Sequence, residues 1–162
     1  MDRRPRTNLV ETLIMQAGSR SAQYWRDRTA PALADFEALA AAAWDRLPAE
    51  FRKLCGDLVI RVEDFALDEV LDELELESPF DLMGLYQGTS LAHQSVSDVP
   101  QGPNMVFLYR RAILDFWAES EDTLGGLVTH VLVHEIGHHF GLSDEDMERI
   151  EEESEPEHGD GL

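Results

Sequence analysis

The chain is poor in cysteine, in positive charge and in long apolar runs. Cys55 is its only cysteine, so no intrachain disulfide can form, and a reducing cytoplasm is the expected location. Thirteen Lys and Arg face 33 Asp and Glu, a net charge of −20. Such a field repels phosphate backbones and anionic bilayers, so neither nucleic acid nor a membrane surface is an expected partner. It favours solubility, basic partners and divalent cations without identifying one of them, and a solvated acidic surface is its plainest meaning. No stretch approaches the roughly 20 apolar residues of a membrane span. The opening Met1-Asp2-Arg3-Arg4-Pro5-Arg6 lacks the apolar core and cleavage site of a secretory signal. No glycine-rich loop links a strand to a helix, and Gly125-Gly126 reads as a helix start. Neither Ser90 nor Cys55 sits in a nucleophile motif.

What the chain does contain is His134-Glu135-Ile136-Gly137-His138, the H-E-x-x-H pattern of zinc hydrolases. With 6 histidines and 18 glutamates in 162 residues, the pattern arises by chance with a probability of roughly 2%. Its setting lowers that chance further. Leu124, Leu127, Val128, Val131, Leu132 and Ile136 recur at helical spacing, and Gly141 marks a helix stop. On a helix His134 and His138 share one face and can hold a single Zn²⁺. Glu135 can then act as general base toward a metal-activated water. The bland alternative is a buried amphipathic helix with hydrogen-bonded histidines.

A catalytic zinc needs a third protein ligand. The pattern runs on as His138-x-x-Gly141-x-x-Asp144. A left-handed Gly141 would turn the chain back, making Asp144 a ligand candidate beside Glu148, Glu151 and Glu152. Ser143 also reads as an N-cap, with Asp144, Glu145 and Asp146 in the first turn of a new helix, where negative charge suits the dipole. His130, four residues before His134, reads first as a partly buried helix histidine and second as a group near the metal or substrate. His139 points about 100° away from His138 and reads as structural. His93 and His158 lie in loop and tail sequence.

The length suits one domain with its own core. Residues 1–32 read as a flexible extension, 33–153 as the domain and 154–162 as a disordered acidic tail. Within the domain, helical spacing begins near Asp35 and ends at Leu47-Pro48, and a short helix comes next over residues 49–55. Strands are expected at 58–62, 83–88 and 105–109. Further helices are expected at 68–77, 111–118, 122–140 and 143–153, with a loop at 93–104. The aromatics Trp44, Phe107 and Trp117 read as core. The fold class is α+β: a small mixed sheet of about three strands packed on helices, one of which carries the motif.

The stretch from His134 to Asp144 resembles the small bacterial zincin-like metallopeptidase family. Leu47-Pro48-Ala49-Glu50-Phe51-Arg52, Leu82 to Gly88 and Val106 to Arg111 are similar as well, over about residues 35–152. The resemblance implies a compact zincin-like fold and a zinc-dependent peptidase acting on peptide or protein substrates. Metzincins share the Gly-x-x-ligand extension but carry a methionine turn well downstream, whereas here Met147 comes three residues after Asp144. The expected function is hydrolysis of peptide bonds with zinc on His134, His138 and Asp144, Glu135 as base, and substrate paired to the edge of the strand at 105–109. The rival expectation is a zinc-binding or interaction module without catalysis. A monomer is the default state.

Overall fold

A computed structural model describes residues 20–88 and 103–156. The expectations for residues 1–19, for the loop with Ser90 and His93, and for the tail beyond residue 156 with His158 lie outside the described residues. The chain divides into two units, Met1–Ala30 and Pro31–Leu162.

In the first unit a single turn, α1 (Ala22–Arg26), starts at Ser21, whose hydroxyl accepts from the Tyr24 amide. Among the described residues, the three strands and the other helices belong to the second. Its α2 (Leu33–Arg46) ends where Leu47 turns extended before Pro48, as a residue preceding proline must. Then come α3 (Ala49–Cys55), β1 (Leu58–Glu63) and α4 (Asp68–Glu73). A 3₁₀ turn at Pro79–Asp81 leads to β2 (Gly84–Gln87). Beyond it lie β3 (Asn104–Tyr109), α5 (Arg110–Glu119), α6 (Leu124–His139) and α7 (Asp144–Ser154). The class is α+β with a mixed three-stranded sheet, as expected.

One helix stops short of its expected end at residue 77. The α4 helix closes at Glu73 because Glu75 takes a left-handed φ of 56°. The Leu76 amide then bonds the Leu71 carbonyl at 2.9 Å, and the Glu75 amide the Asp72 carbonyl at 3.2 Å. This is a Schellman stop made without glycine. Leu71 and Leu76 pack into the same apolar cluster, the contact that accompanies the motif and offsets the strain at Glu75.

The sheet order is β1-β3-β2. β3 pairs in parallel with β1 (Leu58 opposite Asn104) and antiparallel with β2 (Gly84 opposite Leu108). The expected docking edge at 105–109 is therefore not an edge. Both sides of β3 are taken, and β1 and β2 are the strands that each keep one side unpaired among the described residues. Alternation along β3 splits the core, as a period of two requires. Val106 and Leu108 pack toward α6, while Phe107 and Tyr109 face the cluster around Ala66, Leu71 and Ala112. The motif helix α6 buries Leu127, Val128, Val131, Leu132, Val133 and Ile136. It is apolar nearly all round, as a helix flanked by α2, the sheet and α7 should be. No helix among the described residues is long and apolar enough to cross a membrane.

Candidate metal centre

Two caps set the ends of the motif helix. The Thr123 hydroxyl accepts from the Gly126 amide at 3.1 Å and starts it. At the other end Gly141 has φ +69°. The Leu142 amide reaches the Gly137 carbonyl at 2.9 Å and the Gly141 amide reaches that of His138 at 3.2 Å, a Schellman motif. Ser143 then caps α7, accepting from the Asp146 amide at 3.1 Å. The turn that the sequence implies between the two helices is thus built as read.

The return of α7 along α6 depends on Gly137. A methyl group there would lie 2.4 Å from the Met147 sulfur and 2.8 Å from its Cγ. Met147 is fully buried, so glycine inside the motif lets the two helices cross at close range. On the other flank Gly84 of β2 does the same. Its added carbon would lie 2.7 Å from Val131 Cγ1 and 3.1 Å from both Glu135 Cγ and the Phe107 carbonyl. Sequence reasoning missed both positions. The available signal was a lone glycine inside a helical pattern and another at a strand start.

Glu135 is half-buried in this second crevice, and desolvation pushes its carboxyl up to about 7. It is close enough to Tyr109 to help raise that phenol to about 12, after burial and alongside Glu63. A carboxyl whose proton is held to near neutrality is suited to proton transfer at physiological pH.

His134 lies on the α7 side. Its Nε2 is 2.9 Å from Glu151 Oε1, and His130 Nδ1 is 3.0 Å from the same oxygen. The His130 and His134 rings lie 3.9 Å apart at 32°, whereas the His134 and His138 rings are 5.5 Å apart and nearly perpendicular. Burial lowers the His134 pKa, and His130 and then His138 lower it further against the opposing pull of Glu151. Neutral imidazole is the ligating form.

Among the described residues, one group of three or more ligating side chains converges to within 4.8 Å: His130, His134 and Glu151. His138 is exposed on the next turn. Asp144 is exposed in the first turn of α7 and does not join that group. Glu148 and Glu152 are exposed too. His130, read first as a structural histidine, is 47% exposed at its side chain and hydrogen-bonds Glu151. His139 packs its ring 4.1 Å from that of Tyr86 and beside Phe140. Imidazole nitrogens with a carboxylate oxygen suit Zn²⁺. Glu151 Oε1 supports that fit: it is buried and close to two nitrogens, yet no N–H points at it well enough for a hydrogen bond.

A family model described as zincin-like metallopeptidase matches residues 55–154, well over half of the chain. The match spans the three strands of the described residues and ends with α7. No curated protein matches the chain.

Proposed function

The chain belongs to the zincin-like metallopeptidase family, and from that premise we propose that it hydrolyses peptide bonds with zinc held on α6. His134 and His138 supply the two imidazoles, and Asp144 closes the set from the start of α7. Bound zinc supplies the Lewis acidity that activates water and polarises the scissile carbonyl. Glu135 takes the proton of the attacking water on its carboxylate and returns it to the departing amine. β2 offers an extended substrate the free side of a strand next to Glu135, and backbone pairing there would hold the peptide across the crevice.

The observation that carries this reading is the placement of Glu135, half-buried in the crevice against Gly84 and directly after His134 in the chain. Glu135→Gln tests it. The variant should keep its zinc, measured by elemental analysis, and lose peptide cleavage by about 100-fold or more. Turnover at the parent rate would remove Glu135 from the reaction. Stoichiometric zinc in the parent chain with no cleavage across a peptide library would make the protein a zinc-binding module instead.

A further inference from the structure

Two overlapping histidine pairs with the same four-residue step lie on α6. One is His134 and His138 and the other is His130 and His134. Each pair spans about 40° of helix surface, so both can grip an ion. They differ in the residue next to the first histidine, which is Glu135 in one and Val131 in the other. Val131 is 3% exposed and packs in the core with Leu108 and Val128.

The second pair already has its third donor. Glu151 Oε1 lies 2.9 Å from His134 Nε2 and 3.0 Å from His130 Nδ1, and Glu151 Oε2 lies 3.1 Å from His130 Nδ1. Tetrahedral zinc with bonds near 2.0–2.1 Å separates its ligands by roughly 3.3 Å. A few tenths of an ångström of spreading would admit the ion, and the half-exposed His130 side chain can supply it. Of the two carboxylate oxygens only Oε2 has an aligned partner, His130 Nδ1, while the buried Oε1 has close nitrogens but no aligned donor. The group is open to solvent on its own account, since the His130 side chain is half-exposed and that of Glu151 keeps about a quarter of its surface, 24%.

We propose that His130, His134 and Glu151 form a second metal position, one helical turn before the H-E-x-x-H position, that takes a borderline divalent cation such as Zn²⁺. The two positions share His134, so filling one empties the other. A cation at the second position has Val131, not a glutamate, directly after its first histidine, so the motif's order of ligand and base is not repeated there. It is a holding or inhibitory position, distinct from the hydrolytic one and independent of the peptidase reading except through His134.

The experiment is a Co²⁺ titration of the metal-free full-length chain, monitored by visible absorption, with Zn²⁺ affinity obtained by competition. His138→Ala disables the motif position and should still bind one equivalent. Adding Glu151→Gln, or His130→Ala, to that variant should weaken binding by about tenfold or more. Glu151→Gln alone should retain one equivalent and a cooperative melt, which separates ligand loss from misfolding. A metal-free His138→Ala protein that melts cooperatively overturns the proposal. So does an affinity in the double variant equal to that of His138→Ala. If the parent chain cleaves peptides while His138→Ala binds nothing, this inference fails and the peptidase reading stands. If no zinc-loaded form cleaves while His138→Ala binds as expected, the reverse holds.

Discussion

The two flanks of the motif helix place adjacent residues under opposite electrostatic regimes. Toward α7, His134 meets Glu151 at 2.9 Å, with His130 on the same carboxylate. Toward the sheet, Glu135 is surrounded by Val131, Gly84 and the β3 backbone, and loses water without gaining a cation. One flank gathers donors that suit a divalent ion. The other raises a carboxyl until it can exchange a proton near neutrality. A helix delivers this contrast at no extra cost in fold, because consecutive side chains leave it about 100° apart.

The flank toward α7 breaks most severely at Gly137. Gly137→Val would drive its methyl groups into Met147, whose side chain is fully buried. We expect a loss of about 3 kcal/mol in denaturant unfolding, from overpacking in a core with no slack. Zinc binding should fall with it, since α7 carries every carboxylate offered to the metal. Met147→Ala in the same chain should restore about 1 kcal/mol or more relative to the sum of the single changes. Strict additivity would mean that the crossing tolerates a side chain at residue 137.

The sheet flank is sharpened by a milder change with a defined sign. In metal-free protein Glu135 has a folded value of about 7 against an ordinary 4.5. Between those values the native state binds more proton than the unfolded chain, so stability falls as pH rises through the window and is flat above it. Glu135→Gln removes this loss. We expect the metal-free variant to be more stable than the parent by about 1–2 kcal/mol at pH 8, discounted from the full shift because the carboxyl retains some solvent. Near pH 4 the two should unfold together. Equal stability at both pH values would show that the crevice is wetter than its packing indicates.

How far this contrast could be read in advance depends on its range along the chain. The motif helix, the left-handed Gly141 and the Ser143 cap were legible because each rests on contacts within five residues. The three strands were legible as segments, yet their order was not. Nothing in residues 105–109 says that β1 and β2 will occupy both sides, so the segment expected at an edge is the centre of the sheet. The stop at Glu75 was hidden because its residue type argues against a left-handed turn, and only the Leu71–Leu76 packing offsets that preference. His130 and Glu151 are 21 residues apart, and their meeting depends on how closely α7 returns along α6. That distance is set by Gly137 against Met147, a pairing that periodicity does not encode.

The smallest effect, and the one that best separates the two metal positions, belongs to Ser143. Its hydroxyl accepts from the Asp146 amide and donates to the Asp146 carboxylate, so Ser143→Ala should cost about 1 kcal/mol through the lost cap. The loosened turn includes Asp144 but lies about two turns from Glu151, which is held by its neighbour Ile150 in the core. Zinc at His134, His138 and Asp144 should therefore weaken by about tenfold when the cap is removed, as it does when the support behind a ligand is lost. In the His138→Ala background, where binding falls to His130, His134 and Glu151, the same substitution should leave affinity unchanged. Equal weakening in both backgrounds would mean that α7 responds as one rigid body and that its two ends do not serve different ions.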